Sequence, residues 1–288
     1  MKITPLLALS LLLWGACNTS SQTQNKSAQR PFENVVVIIG DDHATHALGA
    51  YGNQLIHTPN LDKMAKNGVL FTRAFANSPM CAASRQSFLT GKYPHAAGVT
   101  LLRTPLADSQ LTVAEHLKTF GFQTAAIGKM HFNSELSHGF DVLKGRKEYQ
   151  EYLSENPVSP IPDTISVRPP WKPFRDHARI WLNAEALPGG FYDKDDIGTY
   201  YSKQAIDFID QNMDQRFCLW LGFHEPHSPF NFPIKYKDRT VPSQISLAQG
   251  SEEDDRWIPE VFSDLTEKEK KGITAAYYNS VEYLDKNV

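Results

Sequence analysis

Cysteine, surplus charge and long apolar runs are all scarce in this 288-residue sequence. Three cysteines, Cys17, Cys81 and Cys218, are too few for a disulfide framework. Lys and Arg number 29 against 32 Asp and Glu, a net charge of −3. With no basic excess there is no footprint for nucleic acid, and no block of like charge is long enough to act as an interaction tail. The most apolar stretch, Leu6 to Trp14 (LLALSLLLW), falls well short of the roughly 20 apolar residues that cross a bilayer. No internal repeat occurs, which excludes solenoid architectures. What remains is a 41% hydrophobic composition and enough length for a sizeable core. That is the balance of a soluble globular enzyme with one large domain or two small ones.

The apolar stretch still has a meaning. Lys2 precedes it and Gly15-Ala16-Cys17 follow it. A positive start, a short apolar core and small residues make a secretory signal. Cys17 directly after Gly-Ala resembles the lipobox of bacterial lipoproteins, although Trp14 stands where Leu is usual and Leu13 lies one place earlier. The expectation is an exported protein, periplasmic or at the cell surface, held to the membrane by a lipid anchor at Cys17. The alternative is a plain signal peptide cleaved near Ala16. Asn18 to Arg30 (NTSSQTQNKSAQR) holds almost no apolar side chain and reads as a flexible tether. The chain thus divides into a signal peptide at 1–16, a tether at 17–33 and a folded domain at 34–288.

The folded part opens on Asn34 to Gly40 (NVVVIIG), a β-branched run that predicts a strand buried on both faces of a parallel sheet. Thr58-Pro59 predicts a helix start, with Leu61, Met64 and Ala65 on its buried face and Gly68 at its end. Val69 to Phe75 reads as a short strand. Helices are expected over Ser84 to Thr90, stopped by Gly91, and over Thr112 to Phe120, stopped by Gly121. Phe122 to Ile127 reads as the next strand. Six prolines between Pro157 and Pro173 predict an irregular insertion, about 155–192, with aromatics at Trp171, Phe174 and Trp181. Asp195 to Met213 predicts an amphipathic helix through Ile197, Tyr201, Ile206, Ile209 and Met213. Phe217 to Phe223 (FCLWLGF) predicts a buried strand, with Cys218 a small buried hydrophobe. Thr266-Glu267-Lys268-Glu269 is a capping-box pattern opening a last helix. That helix meets Val288 with no terminator, which reads as a chain cut before the end of its domain. Alternating strands and helices predict an α/β fold, a largely parallel sheet with helices on both faces.

Polar clusters follow the predicted strands, where sites of open α/β sheets form. Asp41-Asp42 is a pair of adjacent carboxylates, suited to a hard cation such as Ca²⁺ or Mg²⁺ but equally to a turn with one solvated side chain. Cys81-Ala82-Ala83-Ser84-Arg85 sets a thiol near a helix start with a cation four residues on, which favours anions; a buried structural Cys with a surface Arg fits these five residues as well. Gly128-Lys129-Met130-His131 and His224-Glu225-Pro226-His227 add cationic groups suited to an anionic substrate. A lone His is more often structural than catalytic.

Taken together, the clusters resemble the type I sulfatases of the alkaline phosphatase superfamily. The resemblance rests on Cys81-Ala82-Ala83-Ser84-Arg85 with Leu89-Thr90-Gly91-Lys92-Tyr93-Pro94, and on Asp41-Asp42, Gly49-Ala50-Tyr51-Gly52 and Thr58-Pro59-Asn60-Leu61-Asp62 upstream. The Lys129 and His227 segments complete it downstream. It implies an alkaline-phosphatase-like, mixed sheet and a formylglycine made from Cys81, whose hydrate attacks sulfur. It further implies Ca²⁺ (Mg²⁺ also fits) on Asp41, Asp42 and the modified Cys81. Arg85 would steady the hydrate, Lys129 and His227 would bind sulfate, His131 would take the proton that triggers elimination, and His227 would help protonate the leaving alcohol. A maturase is implied as a partner. Ala83, where many members have Pro, fits the anaerobic sulfatase-maturating enzyme better than the oxygen-dependent formylglycine-generating enzyme. The family's remaining metal ligands and a further Lys would fall beyond Val288. The implied activity is hydrolysis of a sulfate ester on an extracellular substrate, a sulfated carbohydrate by the export signal. Two alternatives stay open: a phosphonate or phosphate monoester hydrolase of the same superfamily, and a non-catalytic lipoprotein that binds sulfated glycans. Choline sulfate is a minor substrate option, on Phe132 and His138-Gly139-Phe140.

Overall fold

The structure, a computed structural model, describes residues 33–169 and 182–288. The signal peptide, the Cys17 anchor and nearly all of the tether therefore lie outside the described residues, as do Trp171, Phe174 and Trp181. No described helix is long and apolar enough to cross a membrane.

In chain order the elements are β1 (Val35–Ile39), α1 (Pro59–Asn67), α2 (Cys81–Thr90), α3 (Pro94–Ala97), α4 (Val113–Lys118) and β2 (Gln123–Gly128). Then come β3 (Val142–Lys144), α5 (Arg146–Glu155), α6 (Ile197–Gln211), β4 (Phe217–Gly222), α7 (Glu252–Asp255) and α8 (Glu267–Asn287). The four described strands form one sheet in the order β1-β4-β2-β3, and every pairing is parallel. No antiparallel strand of the expected mixed sheet occurs among the described residues.

Strand alternation divides the core between the two faces. Ala125, Ile127, Leu219 and Leu221 point to one side, where Tyr149 of α5, Tyr201 and Phe208 of α6 and Leu284 of α8 cover them. Ala126 and Trp220 point to the other, onto Ala82 and Leu89 of α2 and Ala114 of α4. Both faces thus carry helices, and β4, buried along its whole length, is the spine. Cys218 is buried there and unpaired.

Several expectations need correction. β1 is an edge strand among the described residues, so Val36 is 46% exposed rather than enclosed on both faces. Residues 69–75 have no partner strand and form an irregular stretch, with Val69, Phe71 and Phe75 all exposed. Met64 faces solvent on α1. On α6 the buried stripe runs through Tyr201, Ala205 and Phe208, leaving Ile206 exposed, and Met213 lies exposed past the helix end. α2 begins at Cys81, three residues earlier than expected. β3 and α5 were not foreseen. The expected insertion is irregular in its described parts beyond Glu155.

Helix α1 is capped from a distance. Its N-cap residue Thr58 makes no cap, because its hydroxyl accepts from the Gly49 N–H (3.0 Å) and donates to Asp62 (3.2 Å). Asp285 of α8, 2% exposed, takes over: its carboxylate accepts from the N–H groups of Leu61 (2.8 Å) and Asn60 (3.3 Å). α8 itself opens with the predicted capping box of Thr266 and Glu269. Replacing Asp285 with Ala strands the α1 donors, so Asp285→Ala should lower stability by about 1–3 kcal/mol. Denaturant unfolding reads this directly, and an unchanged midpoint would mean that solvent caps α1 equally well.

Candidate active site

The carboxyl ends of β1, β4 and β2 lie side by side and deliver three of the polar clusters. Backbone bonds continue past the strands: Phe223 donates to Ile39 (2.8 Å), Lys129 to Gly222 (2.7 Å) and Asp41 to Glu225 (3.0 Å). Two glycines allow this closeness. Gly128 has φ +92°, and a Cβ on it would lie 2.0 Å from the Gly222 carbonyl oxygen. A Cβ on Gly222 would lie 2.3 Å from the Lys129 carbonyl oxygen and 2.9 Å from Arg85 Nη1.

At the centre sits Asp41, 5% exposed. Lys129 Nζ bonds its Oδ2, and Arg85 Nη2 lies 3.4 Å from its Oδ1. Burial alone would raise the Asp41 pKa, but Arg85 and Lys129 outweigh it and hold the carboxyl below its ordinary value. Arg85 also donates from Nη1 to the Lys129 carbonyl (2.6 Å).

Cys81 is half-buried at the first position of α2. It borders two cavities. One, of about 460 Å³, is shared with Lys129, His131, His224 and His227. The other, of about 390 Å³, is shared with Asp41, Asp42 and Arg85. The expected site residues are therefore brought together around Cys81 but fall on two sides of it. Asp42 is the link: it is exposed, in the left-handed region at φ 61°, and its Oδ2 lies 3.5 Å from His227 Nε2. His227 Nδ1 lies 2.7 Å from the Ser228 carbonyl oxygen, which holds the ring in place.

Lys129 and His131 line one cavity, with His131 in the left-handed region at φ 58°. Burial first, then the Lys129 and Arg85 charges, push the His131 pKa down to about 4. Burial, with Lys129 and Arg146, pushes His224 to about 3. Neutral imidazoles beside fixed cations can accept protons, which suits base chemistry on an anionic ligand. His131 Nδ1 is buried without a partner.

The expected metal donors Asp41, Asp42 and Cys81 line the second cavity together but do not converge on one point. Among the described residues no three His, Cys, Asp or Glu side chains are grouped to hold a metal ion. The cause is visible: the Asp41 carboxylate is paired with Arg85 and Lys129, while Asp42 turns toward His227. As arranged, Asp41, Asp42 and Cys81 do not fit a calcium site.

Sequence reasoning missed Gln86. It is fully buried, and its Nε2 donates to the carbonyls of Met130 (3.1 Å) and His131 (2.6 Å). It braces the turn that holds His131 in its left-handed conformation. The only signal was its place beside Arg85 on an expected helix. Glu225 was named only within its motif. It is 4% exposed, its Oε2 has no partner, and burial and the nearby Asp196 push its pKa up.

The family described as Sulfatase matches residues 33–288. The chain is 37% identical to an N-acetylglucosamine-6-O-sulfatase of Bacteroides thetaiotaomicron, over 78% of this chain and 35% of that protein. It is 30% identical to an ulvan-active sulfatase of Formosa agariphila, over 86% of this chain and 46% of that protein. It thus spans between a third and a half of the length of these relatives. In fold it is similar to a phosphonate monoester hydrolase of Agrobacterium radiobacter, with a TM-score of 0.71 at 20% identity over 89% of this chain and 57% of that one.

Histidine titration followed by NMR tests the site's geometry. His131 should titrate near pH 4. Gln86→Met keeps the volume but has no donor, and it should cost about 1–3 kcal/mol of stability and move the His131 midpoint up toward its ordinary value of about 6.5 as water reaches the ring. An unmoved midpoint in that variant would show that Gln86 does not hold the His131 turn.

Proposed function

The chain belongs to the sulfatase family, and on that premise we propose that it hydrolyses sulfate esters of a carbohydrate outside the cytoplasm. The observation that carries the reading is Cys81 at the start of α2, bordering one cavity with Lys129, His131 and His227 and backed by Arg85. A sulfate ester carries negative charge, and a pocket with a fixed ammonium and neutral imidazoles accepts it without first shedding protons. The names of the two relatives support a sulfated carbohydrate as the substrate class.

In this reading Cys81 is oxidised by a sulfatase maturase to formylglycine, which supplies a hydrate hydroxyl as nucleophile. Lys129 holds the sulfate oxygens. His227, its Nδ1–H held by the Ser228 carbonyl, is placed to hand a proton to the departing alcohol through Nε2 when the ring carries both protons. His131, kept neutral by burial and the nearby cations, accepts the proton whose loss lets sulfate leave. Arg85, tied to the Lys129 backbone and to Asp41, keeps the Cys81 turn and the Lys129 turn in register. The family's calcium on Asp41 and Asp42 is part of the expectation, but the arrangement described above does not fit it, and none of these steps passes through a metal. Export, with a lipid anchor at Cys17 and a periplasmic or cell-surface location, completes the proposal.

Mass spectrometry of the tryptic peptide from Ala74 to Arg85, from protein made in its native host, should show a loss of about 18 Da at Cys81, the change from thiol to aldehyde. Cys81→Ala should reduce aryl sulfate turnover by at least about a thousandfold. Turnover of an aryl phosphonate exceeding that of the matching aryl sulfate would move the assignment to phosphonate hydrolysis. Full sulfate turnover with an unmodified thiol would overturn the nucleophile.

A further inference from the structure

Asp42 and His227 meet across two loops, and the pair is too exposed to set its own geometry. Their side chains are 58% and 38% exposed, and at 3.5 Å Asp42 Oδ2 and His227 Nε2 lie beyond an ordinary hydrogen bond. A solvated pair of this kind holds little by itself. The loops after β1 and β4 are joined at their roots, where the Asp41 N–H donates to the Glu225 carbonyl (3.0 Å). Beyond that root each loop bends through a non-glycine residue in the left-handed region, Asp42 at φ 61° and Phe230 at φ 58°. Such conformations persist where neighbouring groups fix them.

Both bends are held by α8. The Tyr277 hydroxyl donates to the Asp42 carbonyl (2.7 Å) and accepts from the Ala44 N–H (2.8 Å), so one phenol pins the chain on either side of His43. The same ring packs perpendicular to that of Phe230, with centroids 5.2 Å apart. Ser280, three residues further along α8 and so on the same face, is fully buried and donates to the Asn231 carbonyl (2.7 Å). The Phe230 N–H closes its turn on the His227 carbonyl (3.0 Å). From this turn His227, Ser228, Pro229 and Asn231 line the cavity beside Cys81. α8 thus sets how two loops from different strands face each other, and Tyr277 touches both.

On the reading of the site as a sulfate-ester hydrolase, we propose that Tyr277 is a positioning residue for the proton donor: by tying the Asp42 backbone to the Phe230 turn, it keeps His227 Nε2 directed at the leaving oxygen. As the S–O bond to the alcohol breaks, its electron pair stays on that oxygen and takes the proton from Nε2. Tyr277 touches no reacting atom and acts through Asp42 and His227.

The test is Tyr277→Phe in the full chain made in its native host, which keeps the ring against Phe230 and removes only the hydroxyl. On phenyl sulfate, whose phenolate leaves poorly, kcat should fall about tenfold. On 4-nitrophenyl sulfate, whose anion leaves readily without a proton, the loss should be about twofold or less. KM should stay within about twofold for both esters. Phe230→Leu spares the hydroxyl and removes the ring contact. It should steepen the leaving-group dependence in the same sense, and it carries the test where Tyr277→Phe does not fold. No loss, an equal loss on both esters, or a change confined to KM overturns the positioning role and leaves the hydrolase reading intact. NMR of the His227 ring at fixed pH separates the other failure. Should the parent chain cleave no sulfate ester while Tyr277→Phe still displaces the His227 signals, the hydrolase reading falls and the tie from Tyr277 to His227 stands. Unmoved signals overturn that tie.

Discussion

One buried carboxylate organises this molecule. Asp41 sits at the end of β1, Arg85 one turn into α2 and Lys129 just past β2, and all three are under a tenth exposed. Burying one charge unpaired is very costly, and burying three is tolerable only when opposite charges meet with good geometry. The trio therefore fixes the relative positions of a strand, a helix and a second strand. The glycines follow from the same demand. Gly222 has no side chain because Arg85 must pass it to reach Asp41 and the Lys129 carbonyl, and Gly128 because the backbone of β4 lies against it.

The same cluster sets the state of the histidines. Burial first, and then the fixed charges of Lys129 and its neighbouring arginines, makes a further positive charge unwelcome, so His131 and His224 lose their protons well below neutrality. The acids in the wall behave in the opposite sense. Burial drives the Glu225 and Asp196 carboxyls toward their protonated forms. The fixed cations, the neutral rings of His131 and His224 and the muted acids leave an interior whose charge is positive. Such a site attracts an anion and still offers free lone pairs for proton transfer.

Much of this was legible in the sequence, for local reasons. Val35–Ile39 and Phe217–Gly222 announced themselves as strands because buried parallel strands are continuous apolar runs. Cys81, Arg85, Lys129, His131 and His227 stood out only together, because their segments in this order resemble the type I sulfatases. What the sequence hid were relations between distant segments. Gln86 looks like any polar helix residue until the Met130 and His131 carbonyls are placed against it. Asp285 caps a helix some 225 residues away in the chain. The partner that Asp41 takes is also a tertiary matter: a carboxylate pair suggests a metal, yet two cations from other elements occupy it. β3 escaped notice because three residues are too few to show a period.

The spacing within the Cys81 motif is itself a statement about geometry. Residues four apart on a helix lie one above the other. With Cys81 at the first position of α2, Arg85 falls one turn below it on the same side, where it meets Asp41 and the Lys129 carbonyl. Gln86, next along, turns to the adjacent carbonyls. A single helix thus carries Cys81 on its first turn and, on its second, the two side chains that bind the Lys129 to His131 backbone. Had α2 begun at Ser84, Cys81 would have hung in a loop with no fixed relation to Lys129 or His131. Starting the helix at the cysteine makes the Cys81 thiol, the Arg85 guanidinium and the turn bearing His131 parts of one rigid piece. The pattern in the sequence and the geometry of the site are for that reason the same fact.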